Sequence, residues 1–538
     1  MVVIGYWTNG LIYEDSRGQK VWANYLSEVL QFLMTPYLAD NQKLLPFKFC
    51  WDVDLLANPL LQLLHPDQLK QLAETEAVTI EVDGIKYRIW YPRKDGIGTA
   101  LAITNKTIRT EGNESIFWPL TSFTPEGMEA PADALDTQVL GERILEIFAK
   151  KIGYQPLPHS MFSPVNVLKP YLEKMNLPRL ADLPPKVANY AAHCQMAPWV
   201  EAHKLGYWEK AWDVDLSNAY ASILRDLPDW RHGDWYESEH FQPKALLGYV
   251  NCDVDIRPEV SLHPILLDME EGAAAVTGRQ EDIWLTKELI NLVGRWKLGT
   301  SHIRSGVWWF PEKVIRYPLM TVIDKLMAAR YSQNGTPHSI ITRFLAKKCL
   351  VGLWGYVARW NWQAGKDPDV FYNPPWATEI RTRTSIKDAE LIYRKKLVKN
   401  VIGISVDGFL CDRDPELTRE DEAAGWKVSG TGPALVASQN HSWFGEKRPE
   451  GKTIDEVLQM VHASPQNGSW TWEWKRTGTL GDCVLREDFS LLGEPIECRS
   501  TLHLRQDWNR ACPKVPKTGK SLLSRKWESR PYTIEEVT

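Results

Sequence analysis

The chain has no Cys-x-x-Cys pair among its eight cysteines, which excludes a zinc ribbon and argues against a disulfide framework. Buried free thiols are expected instead. No run nears the roughly 18 consecutive apolar residues of a membrane helix. The opening MVVIGYWTNG lacks a charged segment followed by a long apolar one, so no secretory leader is expected either. Low-complexity linkers and internal repeats are missing too. Positive charge is not in excess: the net charge of −5 gives no global sign of a nucleic-acid partner.

What is present fits a soluble globular protein, 44% hydrophobic and 24% charged. At 538 residues it exceeds one ordinary core, so two or more domains are expected. Charge is uneven along the chain. Residues 311–360 hold eight Lys/Arg against Glu312 and Asp324, and residues 499–530 hold nine against Asp507 and Glu528. Both segments are interleaved with aromatics, a composition suited to gripping phosphates locally.

Proline clusters at 154–164 and 177–186 separate a mixed region before about 150 from the rest. In that first region VTIEVDGIKYRIWYP (78–92) alternates around Asp-Gly and predicts a hairpin. DTQVLGERILEIFAKKIG (136–153) has helical spacing and a terminal glycine. Further on, AWDVDLSNAYASILRDL begins as a strand and turns helical near Asn218. PLMTVIDKLMAARYSQNG and HSIITRFLAKKCLVGLWGYVARW predict two helices, and LVKNVIGISVDGFLCDRD predicts strand, turn, strand.

Asp-Val-Asp occurs three times, ending at Asp54, Asp215 and Asp255. Two carboxylates on neighbouring strands can hold a pair of Mg²⁺ ions that clamp a phosphoryl displacement, and a lysine on a facing helix can neutralise a triphosphate. The chain offers that order: a strand with an acid, a helical pair with lysines, and a hairpin with an acid. The pair Asp253/Asp255 follows an alternating strand and reads as an exposed face.

From about 140 to about 430 the chain resembles the B-family DNA polymerases, particularly the small phage, plasmid and protein-primed branch. DLSNAYASI matches the first motif, KKCLVGLWG the second and SVDGF the third. The resemblance implies that Asp215, Leu216 and Asp407 hold two Mg²⁺ ions, with Mn²⁺ able to substitute. It makes Tyr220 the sugar gate and places Asn218, Ala219, Arg330, Lys347, Trp354 and Gly355 around the nucleotide, with Arg343 competing for the place of Arg330. Asp215, Asp407 and Lys347 are the implied catalytic group. The sequence departs from the family at Val351 and Gly352, where Asn-Ser is usual, at Trp354, where Tyr is usual, and at Ser405, where the first aspartate of the third motif would stand.

The same resemblance implies an α+β right hand. A degenerate, RNase H-like exonuclease-type domain would span 1–150, a connecting segment 151–205, and the palm 206–310 with room for an insertion. Fingers would span 311–362, the palm hairpin 363–430, and the thumb with the basic C-terminal segment 431–538. Exonuclease relics are expected at Trp7, Asn9, Asp52 and Asp136, with only two acids of four retained, so proofreading is expected to be lost. The implied activity is template-directed addition of dNMPs to a primer 3′-hydroxyl, in the replication of phage or mobile-element DNA in the cytoplasm of a bacterial or archaeal host cell. Expected partners are primer–template DNA, dNTPs and a terminal protein, primase or helicase, with no membrane. The competing classes are a weak or inactive polymerase-like DNA-binding accessory protein, and a primase or terminal transferase on the same palm.

Overall fold

The computed structural model describes the whole chain except residues 1–3, 8–10, 15–19, 23–24, 35–47, 95–96, 99, 108–113, 132–133, 158–159, 162, 270–271, 332–336, 359–369, 437–441, 446–452, 464–468, 487, 493, 504–509, 512–525 and 538. It divides into two compact units, each assembled from three separate segments. The first comprises Met1–Met175, Asp324–Gly352 and Lys475–Cys498, and the second Asn176–Ile323, Leu353–Trp474 and Arg499–Thr538.

In the first unit a five-stranded sheet has the order Lys48–Cys50, Glu114–Pro119, Leu101–Asn105, Ile85–Trp90, Ala77–Val82. The expected hairpin is its edge. Asp83 and Gly84 both have positive φ, 52° and 76°, the pairing that lets a two-residue turn follow the twist of its strands. Val78, Ile80 and Ile89 point into a core shared with Leu30, Leu33, Leu56 and Leu60 from two helices. Leu480, Cys483 and Leu492, from the last segment of this unit, are buried in the same cluster. The strands Ile4–Trp7, Leu11–Glu14 and Lys20–Trp22 form a separate antiparallel sheet. The helix Ala134–Glu146 continues as a π-helical turn, Ile147–Ile152, and ends at Gly153 with φ 84°. A glycine is favoured there because the cap is left-handed.

The second unit holds two sheets. A seven-stranded sheet runs Val200–Ala202, Val401–Ser405, Gly408–Cys411, Lys204–Leu216, Trp426–Val436, Ser442–Phe444, with Trp527–Glu528 also paired to the long strand Lys204–Leu216. A six-stranded sheet is built around Leu247–Ile256. The helix Pro374–Arg394 backs the first sheet. Asn373 caps its start by accepting from the Trp376 N–H, and Pro374 and Pro375 occupy its first turn, where a missing N–H costs nothing. Ala389, Leu391 and Ile392 of this helix pack against Val214, Leu216, Ile404 and Phe409 of the strands. The chain thus places the strand–helix junction of Asp215 and the hairpin of Asp407 in one core.

Six of the seven described cysteines are buried and all seven are free thiols, as the sequence predicts. Among the described residues no helix is long and apolar enough to cross a membrane. The Asp253 side chain departs from the exposed-face reading: it is only 13% accessible and forms an ion pair with Arg304 at 2.7 Å. Arg304 is on the adjacent strand Gly299–Pro311, so this acid is a cross-strand partner.

Candidate active site

Asp215 lies near the end of the long strand, with Gly408 as its register partner on one side and Lys427 on the other. A Cβ on Gly408 would come within 2.4 Å of the Val214 carbonyl oxygen, so only glycine lets the hairpin close against this strand. Leu216 N–H donates to the Asp407 carbonyl at 2.9 Å, which locks the two acidic segments together through the backbone. At the hairpin tip Val406 has φ 62°, and Asp407 N–H donates to the Ser405 carbonyl at 2.7 Å. This is a γ-turn centred on a β-branched residue with positive φ, a strained arrangement costing about 1–3 kcal/mol.

The strain has an electrostatic counterpart. Burial and the charge of Asp215 raise the Asp407 carboxyl above its ordinary range, while Lys427 pulls it down. Lys427 Nζ stands 3.0 Å from Asp215 Oδ2. An open cavity of about 320 Å³ is lined by Asp213, Asp215, Ser405, Asp407, Val436 and Phe444 among others. Behind it, on the helix Pro374–Arg394, Asp388 is fully buried and neither carboxylate oxygen has a hydrogen-bond partner among the described residues. Burial, then the charges of Asp407 and Asp215, push its carboxyl well up, favouring the protonated form.

The turn from strand to helix explains the residues between Asp215 and Tyr220. Asn218 adopts a left-handed conformation, φ 55°, and its carbonyl accepts from Ser222 N–H at 2.8 Å. Asparagine tolerates that backbone better than most residues. Ala219 is buried at the first helical position, where Ser222 Oγ donates to its carbonyl. Tyr220 is half-buried, its ring 4.8 Å from that of Trp354, and the Arg381 guanidinium lies 5.3 Å from the Trp354 ring. Burial and Asp407 push the Tyr220 phenol up to about 12.

The structure therefore brings Asp215, Leu216, Asn218, Ala219, Tyr220, Trp354 and Asp407 into the second unit, where Gly355 is also exposed. Lys347 and Arg330 belong to the first unit. Lys347 is exposed on the helix Pro337–Ala358, and the Arg330 guanidinium lies 5.8 Å from the Tyr331 ring. Gly352 has a packing reason, since a Cβ there would fall 2.5 Å from Val165 Cβ.

Three of the four relic positions fall on described residues. Trp7 ends the strand Ile4–Trp7, and Asn9 lies outside the described residues. Asp52 Oδ1 accepts from Asp54 N–H at 2.8 Å beside the start of the helix Val53–Gln62. Asp136 stands in the first turn of the helix Ala134–Glu146. Both acids sit where a helix dipole favours negative charge.

Asp388, Arg381 and Lys427 were not singled out by sequence. Asp388 and Arg381 lie in a helix rich in Thr, Arg and Glu that reads as solvated but is buried along most of its length. Lys427 shows no motif, and its signal is the register that sets it opposite Asp215.

Among the described residues no three His, Cys, Asp or Glu side chains form a ready metal cage. The donor set still fits Mg²⁺, which is commonly bound through one or two carboxylates completed by substrate phosphates and water. Burial and the charge of Asp215 raise the Asp407 carboxyl, an electrostatic stress that a bound cation would relieve.

No family model and no curated protein sequence matches this chain. Solved structures do. An orthorhombic crystal form of Phi29 DNA polymerase aligns with a TM-score of 0.57 at 11% identity, covering 94% of this chain and 98% of that one. The Phi29 enzyme complexed with primer-template DNA and incoming nucleotide substrates gives 0.56 at 11% identity, with the same coverages. Its complex with single-stranded DNA gives 0.53 at 11%, covering 92% and 96%. At this identity the likeness is one of fold, an α+β fold shared over nearly the full length of both chains.

Proposed function

We propose that this chain is a template-directed DNA polymerase that adds dNMPs to a primer 3′-hydroxyl and lacks proofreading. The observation that carries the reading is the convergence of Asp215, on a strand, with Asp407, in the hairpin turn beside it, locked by the Leu216–Asp407 backbone bond, within a fold like that of a DNA polymerase. Asp215, Asp407 and the Leu216 main chain would hold two Mg²⁺ ions, which when bound supply acidification of the primer hydroxyl and charge neutralisation at the leaving pyrophosphate.

The remaining roles belong to side chains. Tyr220, steadied against Trp354 and kept protonated, forms a wall that excludes a ribose 2′-hydroxyl. Trp354 offers a flat face to the nascent base pair in place of the usual tyrosine, and Lys347 neutralises triphosphate charge. Arg381 supports Trp354 from the helix behind it. The N-terminal region would be a degenerate exonuclease-type domain retained as scaffold or DNA-binding surface, since Trp7 and Asn9 supply no carboxylate.

The test is extension of a 5′-labelled primer on a DNA template with Mg²⁺ and dNTPs, beside Asp407→Ala and a no-template control. Templated extension abolished by Asp407→Ala is expected, with the primer left intact when dNTPs are omitted. Binding of primer–template without extension would instead make the chain an accessory protein, and extension without template would make it a terminal transferase.

A further inference from the structure

Lys427 is the one cation recorded in an ion pair with Asp215 among the described residues. Its position follows from sheet register. Asp215 and Lys427 are direct Cα partners on antiparallel strands, so their side chains leave the same face side by side. The ammonium reaches Oδ2 of the carboxylate at 3.0 Å, an oxygen a divalent cation would need. Both side chains are partly open to solvent, 48% for Lys427 and 35% for Asp215, so the flexible stem is free to leave. Asp213 and Asp407 line the same cavity as Asp215, and among the described residues no lysine or arginine lines it; Lys427 reaches Asp215 without lining the cavity itself.

We propose that Lys427 is an intramolecular counter-ion of Asp215 that a divalent cation must displace, and that the freed ammonium then binds a phosphate of primer–template DNA. The proposal rests on the polymerase reading of Asp215. It makes metal loading a competition within the chain: the site keeps its charge balance while empty, and yields Asp215 as the cation arrives. Because linkage is reciprocal, a cation that frees the lysine also strengthens the hold on DNA.

Mn²⁺ binding to the full chain, without DNA or nucleotide, can be followed by loss of the free-ion paramagnetic resonance signal. Lys427→Met should tighten Mn²⁺ binding roughly threefold to fivefold, the worth of a solvent-exposed pair. Lys427→Arg, which keeps the charge, should stay near wild type, and Asp215→Ala should bind more weakly. In primer–template titrations against salt, Lys427→Met should reduce the slope by about 0.9 with Mg²⁺ present, the value of one lost phosphate contact. Without a divalent cation that slope should be unchanged.

Unchanged or weaker Mn²⁺ binding by Lys427→Met, with loss in Asp215→Ala, would overturn the counter-ion role alone. Unchanged binding by both variants would overturn the metal reading beneath it. An unaltered salt slope in Mg²⁺ would overturn the transfer to DNA phosphate.

Discussion

At the scale of single residues, Asp388 stands out because its two oxygens, in a fully buried position, have no hydrogen-bond partner among the described residues. A group whose folded pKa is raised binds more protons in the folded state, so its contribution to stability declines as pH rises above the unfolded carboxylate value of about 3.9. Asp388→Asn removes that dependence. The variant should gain stability over wild type as pH rises from about 4 to 8, and the difference should close again on acidification, read by denaturant titration at each pH. Asn218 offers a second test. At its left-handed φ of 55°, Asn218→Val should cost about 1–3 kcal/mol, whereas Asn218→Gly should cost far less, judged by the shift in unfolding midpoint. This separates the backbone role of Asn218 from any contact its amide makes with nucleotide.

Elements reveal what local sequence conveyed and what it did not. The Asp-Gly hairpin at 83–84, the strand-to-helix switch near Asn218 and the hairpin of Asp407 were legible because each depends on neighbouring residues: turn chemistry, a change of period, a glycine at a close approach. The helix Pro374–Arg394 was not. Its buried Thr378, Glu379, Thr382, Thr384, Ser385 and Asp388 carry the signature of a wet surface, and only tertiary packing dries them. Thus Asp215 and Asp407 could be found in sequence while Asp388 and Arg381 could not.

The same blindness hid Arg510, read only as part of a basic segment. Arg510 is fully buried and donates to Glu201 at 3.0 Å, to the Ser261 carbonyl at 3.0 Å and to Ser529 Oγ at 2.8 Å. Burial pushes the Glu201 carboxyl up, but Arg510 and His203 outweigh it and hold the group at about 2. Removing one partner leaves a buried charge unpaired. Arg510→Met should therefore cost about 3–5 kcal/mol in chemical denaturation, and the double change with Glu201→Met should recover much of that loss.

For the whole molecule, a net charge of −5 and two basic segments give opposite expectations for DNA. The basic face of the helix Pro337–Ala358 exposes Arg343, Lys347 and Lys348, so local charge decides. Affinity for primer–template should fall linearly on a log–log plot against salt. With about 6–10 phosphate contacts it should drop roughly 10³- to 10⁵-fold between 50 and 200 mM, measured by fluorescence anisotropy. A flat response would assign those lysines and arginines to solvent.

The interleaving of the two units also governs the order in which the protein can be made. The first unit needs Leu480, Cys483 and Leu492 to cover apolar side chains from residues 29–117. Leu480 follows residue 117 by about 360 positions, so a ribosome carrying the first 470 residues holds a nascent chain whose N-terminal core is still uncovered. Such a chain is an evident client for a chaperone, and synthesis of the 480–492 stretch, rather than emergence of the N-terminal region, marks when that core can close.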